Sequence, residues 1–198
     1  IGWIGRRSDL HEAQAHQGLH AGRFGVAAQF HRNRVHFARI ESEIALRLGE
    51  AVTPERAAAL TPETAVALVD AMAVSIEIVD SRWEDPAKAS ALLRLADLQS
   101  HGALVLGAWV PYAPRDWAAQ TCETRIGANP PDLRNAAHSM GDPAWLLPIW
   151  LRHVTRNGAT VPAGTVVTTG SWVGVLPVRK GGTVVVEFPG IGRAEARL

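Results

Sequence analysis

"ARIESEIALRLG", residues 38–49, places Glu41 and Glu43 one residue apart in an otherwise apolar run. A helix would turn these two side chains about 200° apart, and nothing would join them. A strand sorts the segment differently: Glu41, Glu43 and Ala45 share one face, while Ile40, Ser42, Ile44 and Leu46 share the other. Two rises of about 3.3 Å then set both carboxylates side by side. Downstream, "VSIEIVDS" (74–81) alternates in the same way and carries Glu77 between Ile76 and Ile78. Like charges held together in a partly buried place raise each other's pKa unless a cation lies between them. A hard, oxygen-loving dication such as Mg2+ or Mn2+ meets that need. The pattern alone admits two arrangements: an ion site built from Glu41, Glu43 and Glu77, or a solvent-facing strand with three unrelated surface glutamates.

The rest of the chain sets the frame for these acids. Its 198 residues are 47% hydrophobic and 20% charged, with a net charge of +1, which suits one well-buried domain rather than a polyelectrolyte or an acidic disordered chain. The single cysteine, Cys122, excludes an internal disulfide framework and fits a reducing compartment. No apolar run approaches the roughly 20 residues that span a bilayer, and "IGWIGRRSDL" (1–10) lacks the form of a secretory leader. A cytoplasmic protein with no membrane association is expected. Residues 1–39 hold Arg6, Arg7, Arg23, Arg32, Arg34 and Arg39 against Asp9 and Glu12. Without aromatic interleaving or a nucleic-acid motif, that patch reads as a solvated or subunit-contacting surface, not a nucleic-acid site.

Secondary structure is expected to alternate irregularly. Residues 9–21 suit a short helix and "GRFGVAAQF" (22–30) a loop and strand. "TPERAAAL" (53–60) and "TPETAVALVDAMA" (61–73) each begin with a threonine cap and a proline, predicting two helices, the second over 62–73. "SALLRLADL" (90–98) reads as a helix and "GALVLGAWV" (102–110) as a buried strand. "DPAWLLPIWLRHVTRNG" (142–158) reads as a helix that Pro148 kinks or divides after a short first segment. The tail is a series of short strands punctuated by glycine. "HEAQAH" (11–16) has one residue too many between its histidines for a zinc-peptidase helix.

Several segments, in order, carry a resemblance. "RIESEIALRLG", "IEIVDSRW", "LADLQSHGALVLG", "AGTVVTTGSWVGVLPVRKGGTVVVEF" and "GIGRAEARL" resemble the 2-keto-4-pentenoate hydratase and 4-oxalocrotonate decarboxylase branch of the fumarylacetoacetate hydrolase superfamily. The resemblance runs colinearly over 38–198 and implies an α+β, β-rich rolled mixed sheet with flanking helices. Residues 1–37 are then a poorly matching N-terminal segment packed on or near the core. It further implies a homo-oligomer built from dimers and a Mg2+ or Mn2+ ion held by Glu41, Glu43 and Glu77. The implied substrates are small 2-oxo acids of aromatic meta-cleavage catabolism, whose 2-oxo and carboxylate oxygens chelate the metal. The implied activity is hydration of 2-hydroxypenta-2,4-dienoate, with 4-oxalocrotonate-type decarboxylation or acylpyruvate hydrolysis as alternatives. Asp97 falls in the segment that orients a water or a polar substrate group, and Thr169, Gly170 and Ser171 fall in the turn that approaches the substrate carboxylate.

Other positions depart from the family pattern. "IGWIGRR" lacks the lysine of the family's N-terminal strand, and the chain's two lysines, Lys88 and Lys180, lie in other segments. "FGVAAQFHR" (24–32) lacks the usual acid, and Leu98 replaces an asparagine. Three accounts stay open: a truncated chain, a diverged enzyme using His31 or Arg6, or a metal-binding partner subunit of low activity. Arg82 is expected to pair with Asp80 or Glu84, and His101 to be a satisfied structural histidine rather than a proton-transfer group. No residue is assigned as catalytic.

Overall fold

The computed structural model of the chain describes residues 4–5, 28–29, 39–130, 132–134 and 138–198. The helix expected over 9–21, His31 and Arg6 lie outside them. The described strands are β1 (Ile4–Gly5), β2 (Ala28–Gln29), β3 (Arg39–Leu48), β4 (Val69–Val79), β5 (His101–Leu106) and β6 (Val110–Pro111). They continue as β7 (Cys122–Ile126), β8 (Asp132–Arg134), β9 (Val166–Thr168), β10 (Leu176–Pro177), β11 (Thr183–Phe188) and β12 (Gly192–Arg197). One sheet runs β1-β9-β3-β4-β5, with β10 also on β3 and β6 on β4; the other runs β2-β12-β11-β7-β8. The β2–β12 pair is parallel and its neighbours are antiparallel, so the sheet structure is mixed. This is the β-rich rolled mixed-sheet architecture with flanking helices that the sequence implied.

The period of two along β3 and β4 builds the core. Ile40, Ile44 and Leu46 pair with Ile78, Val74 and Met72 on one face, all buried. Against them pack Val184, Val186 and Phe188 of β11 and Ala194 and Ala196 of β12. Ser42 also faces this core, and its Oγ pairs with Thr124 Oγ1 of β7 at 2.7 Å, which satisfies a hydroxyl that burial would otherwise penalise.

The two Thr-Pro signals start helices as expected, but both helices are short. Thr53 caps Pro54–Ala58, and Thr61 and Thr64 form a capping box on Pro62–Val66. The helix expected over 62–73 therefore ends at Val66, and Val69–Val79 is a strand. Pairing explains the difference: Val69, Ala71 and Met72 align with Leu48, Arg47 and Leu46. Asp70 receives both Nε and Nη2 of Arg47 at 2.8 Å. Tertiary contacts thus override a helical spacing that rested on alanines and β-branched valines.

The strand expected over 102–110 divides at Gly107, which separates β5 from β6. A Cβ there would collide with the Arg193 carbonyl of β12, so only glycine allows the two sheets this close. The 142–158 segment follows its expectation. Asp142 caps a 3-10 turn, Pro143–Leu146, and Pro148 sits in the first turn of the helix Leu147–Thr155 that follows. No helix among the described residues is long and apolar enough to cross a membrane.

Phe188 is fully buried and meets the Trp172 ring edge-on at 5.1 Å, linking β11 to the turn after β9. Phe188→Ala is expected to cost about 3–5 kcal/mol of unfolding free energy in a urea titration. A loss below about 1 kcal/mol would contradict the packing described here.

Candidate metal centre

The face of β3 and β4 that turns away from the main core gathers the acids. In the antiparallel register Glu41 lies opposite Glu77, and Glu43 lies opposite Ser75. One carboxylate oxygen from each of Glu41, Glu43 and Glu77 lies within 4.8 Å of the other two. Directly opposed like charges destabilise a strand pair, so this placement is costly without a counter-charge. Glu43 is only 1% exposed, whereas Glu41 and Glu77 are half-buried. A small apolar cluster of Ala45, Leu104 and Val166 lies beside them, separate from the main core.

Burial, then the charge of Glu77, raises the Glu41 carboxyl above its ordinary range. Burial pushes Glu43 well above it, with Glu77 and Glu41 adding to the effect. The Gly170 amide, donating to Glu43, works in the opposite direction without reversing it. Glu43 Oε2 is buried with no hydrogen-bond partner. An all-oxygen donor set with an orphaned buried carboxylate oxygen suits a hard dication. Two oxygens on opposite sides of such an ion stand about 4–5 Å apart, which matches the observed cluster.

Glu77 is held from the side. His101 Nδ1 lies 2.7 Å from Glu77 Oε1. The β4–β5 register shifts between Ile78 and Val79, so Val79 pairs with His101 and the imidazole joins the Glu77 face. Gly102 permits the irregularity, since a Cβ there would stand 2.8 Å from the Ile78 carbonyl. Before it, Leu98, Gln99 and Ser100 have φ of 51°, 57° and 66°, a left-handed turn without a glycine.

Asp97 anchors that turn. Its carboxylate accepts Ser81 Oγ at 2.7 Å and Arg82 Nη1 at 2.7 Å, and Arg82 Nη2 reaches the His101 carbonyl at 3.4 Å. Arg82 thus pairs with Asp97, correcting the expectation of Asp80 or Glu84. Asp97 is brought near in the chain segment that leads to His101, with its oxygens engaged by Ser81 and Arg82.

The turn after β9 closes over β3. Thr169 Oγ1 donates to the Ile44 carbonyl at 2.8 Å, and the Trp172 amide donates to the Ser42 carbonyl at 2.8 Å. Between them Gly170, at φ +96°, offers its amide to Glu43. Ser171 Oγ donates to the Gly174 carbonyl at 3.1 Å. His138 braces the turn: its Nε2 donates to the Thr169 carbonyl at 2.7 Å, and its Nδ1 accepts the Met140 amide at 3.2 Å. That pairing fixes the neutral tautomer, in keeping with burial, which lowers this histidine's pKa. Sequence reasoning did not single out Ser75 or His138. The two-residue period gave a signal for Ser75, which shares a strand face with Glu77, but none existed for His138.

The raised carboxyls make the metal-free protein lose stability as pH climbs above the ordinary glutamate range. Between the ordinary glutamate pKa of about 4.3 and the raised values, the folded state binds more protons than the unfolded state. Stability present below that window is therefore lost as pH rises through it. Glu43→Gln removes one of the repelling charges, so its stability advantage over wild type is expected to grow from pH 5 to pH 8. Urea midpoints measured in EDTA check this, and an advantage that shrinks with pH would contradict the cluster.

The family model for the fumarylacetoacetate (FAA) hydrolase C-terminal region matches residues 19–198. The protein is 34% identical over 160 residues to 2-keto-4-pentenoate hydratase 2 of Dechloromonas aromatica (strain RCB), and 31% identical to hydratase 1 of the same organism. Each match covers 80% of this chain and 59% of the relative, so the chain spans well under two thirds of these hydratases. Among solved structures it is similar to 4-oxalocrotonate decarboxylase from Pseudomonas putida G7 complexed with calcium and acetate. That match has a TM-score of 0.72 at 22% identity and covers 86% of this chain and 63% of that one. The same decarboxylase complexed with magnesium and adipate gives a TM-score of 0.71, again at 22% identity, over 82% of this chain and 61% of that one. The extent of the family match and the identity to the hydratases together place the chain in the fumarylacetoacetate hydrolase family.

Proposed function

We propose that the protein is a divalent-metal-dependent lyase for small 2-oxo acids of aromatic meta-cleavage catabolism, hydrating 2-hydroxypenta-2,4-dienoate. The observation that carries this reading is the convergence of Glu41, Glu43 and Glu77 within 4.8 Å, with Glu43 Oε2 buried and unpartnered. The names of the similar hydratases support the substrate class. Glu41, Glu43 and Glu77 would hold Mg2+ or Mn2+, and the solved decarboxylase complexes with calcium and magnesium support such an ion. When bound, the ion supplies Lewis-acid polarisation of the substrate's 2-oxo and carboxylate oxygens.

This chain's own residues shape what surrounds that ion. The Gly170 amide orients Glu43, and His101 orients Glu77 through Oε1. Thr169, Gly170 and Ser171 border the substrate carboxylate, because the amide contact to Glu43 seats their turn beside the acids. Asp97 acts through Arg82 and the strained turn, holding His101 on the carboxylate face. Ala45, Leu104 and Val166 keep water from one side of the site. Decarboxylation of a related 2-oxo dioate uses the same substrate class and differs in what leaves the far carbons. We also take the chain to be a cytoplasmic homo-oligomer built from dimers. The helix Ala91–Ala96 buries none of its residues and leaves Leu92 78% exposed, which supports a contact between copies.

A second reading follows from the absent N-terminal lysine: a metal-binding subunit of low activity that stabilises an active partner. One assay separates the two. Purified protein is expected to consume 2-hydroxypenta-2,4-dienoate with added Mg2+ or Mn2+, to stop in EDTA, and to fall to background as Glu43→Gln with its fold intact. Metal binding without turnover would leave the partner-subunit reading, and normal metal-dependent turnover by Glu43→Gln would overturn the site itself.

A further inference from the structure

Ser75 lies in the middle of β4, is fully buried, and has a hydroxyl with no hydrogen-bond partner. A buried hydroxyl without a partner is destabilising, and alanine would fill nearly the same space at no such cost. The chain nonetheless carries a serine here, next to Ala73 on the same strand face. Its cross-strand neighbours are Glu43 on β3 and Leu106 on β5. Leu106 offers nothing to bond. The next acid along the strand, Glu77, already has Oε1 against His101. Glu43 is different, because its Oε2 is the other orphaned polar atom at this place. Two unpartnered groups thus sit opposite each other in one register pair, where Cβ atoms are about 4.5–5.5 Å apart. One can donate a hydrogen bond, and the other, as a carboxylate on a cation, can only accept.

We propose that Ser75 is a positioning residue of the carboxylate cluster: neither its hydroxyl nor Glu43 Oε2 has a partner in this structure, and with the divalent cation bound the Ser75 hydroxyl would turn to donate to Glu43 Oε2 and hold this glutamate in place. The inference rests on the metal reading above and adds a residue to it. The three acids would then differ in their support: Glu43 would gain the Ser75 hydroxyl beside the Gly170 amide, Glu77 has His101, and Glu41 has the Glu43 carboxyl beside it. Outer groups that orient metal ligands typically change metal affinity roughly 10–100-fold when removed.

Mn2+ titration by calorimetry and the melting temperature in EDTA test this on wild type, Ser75→Ala and Glu43→Gln. Ser75→Ala is expected to weaken Mn2+ binding roughly tenfold or more while leaving the metal-free melting temperature unchanged or higher. A purely structural serine gives the opposite signature, and a metal-free melting temperature several degrees below wild type would overturn the proposal. So would Mn2+ affinity within about twofold of wild type, since a lost orienting bond changes it by more. The two readings fail separately. If wild type takes up no Mn2+, the metal site falls and Ser75 loses its role with it. If wild type binds, Glu43→Gln does not, and Ser75→Ala matches wild type, only the role of Ser75 is lost.

Discussion

The register between β3 and β4 is the constraint on which the rest of the structure depends. It pairs Ile40, Ser42, Ile44 and Leu46 with Ile78, Ile76, Val74 and Met72 on one face, and Glu41 and Glu43 with Glu77 and Ser75 on the other. A slip of one residue in either strand would turn its acids toward Val186 and Phe188 and its isoleucines toward the polar pocket. Hydrophobic burial alone would resist that slip, and the cost of placing carboxylates in an apolar core would add to it. The apolar pattern therefore fixes the position of the charged one. The fold uses its strongest driving force to hold together side chains that repel.

Repulsion of this kind needs support from outside the two strands, and each support has a structural origin. The Gly170 amide reaches Glu43 because Thr169 and Trp172 tie the turn after β9 to the backbone of β3 on either side of it. The turn is in turn backed by aromatic packing: His138 lies 5.1 Å from Trp172, which meets Phe188 of the second sheet. A residue of the main core thus bears on the direction of one backbone amide at the acids. Phe188→Ala should accordingly disturb more than global stability, because it removes the surface on which that turn rests.

The sequence showed much of this and missed definable parts. The alternation in 38–48 was enough to place Glu41 and Glu43 on one face, and the residues around Glu77 identified a matching strand. The threonine-proline caps announced both short helices. What failed was length: Ala65, Val66, Val69 and Met72 have helical spacing, yet Val69 and Met72 belong to β4, where pairing with β3 and the Arg47–Asp70 bond decide the conformation. Local propensity cannot see a partner strand more than 20 residues away. The Arg82 pairing was missed for the same reason, since Asp97 is distant in sequence and comes close only through the left-handed turn. His138 carried no pattern at all, because a histidine that braces a turn through backbone groups has no sequence spacing to betray it.

That left-handed turn shows how the fold spends local strain on the acids. Three consecutive non-glycine residues at positive φ cost about 1–2 kcal/mol each relative to ordinary backbone. They persist because Asp97, with Ser81 and Arg82, holds the entrance, while the Asp80 amide donates to the Ser100 carbonyl at 2.8 Å at the exit. The shifted register that follows delivers His101 to Glu77, where its Nδ1 lies 2.7 Å from Oε1. The supports are therefore unequal. Glu43 is enclosed and held by a backbone amide, Glu77 is tied to an imidazole, and Glu41, partly buried like Glu77, has the Glu43 carboxyl beside it. Under the proposed metal reading, an ion would meet a pocket ordered around Glu43 by the Gly170 amide and around Glu77 by His101, so Glu41, with neither of these supports, would be the acid that adjusts.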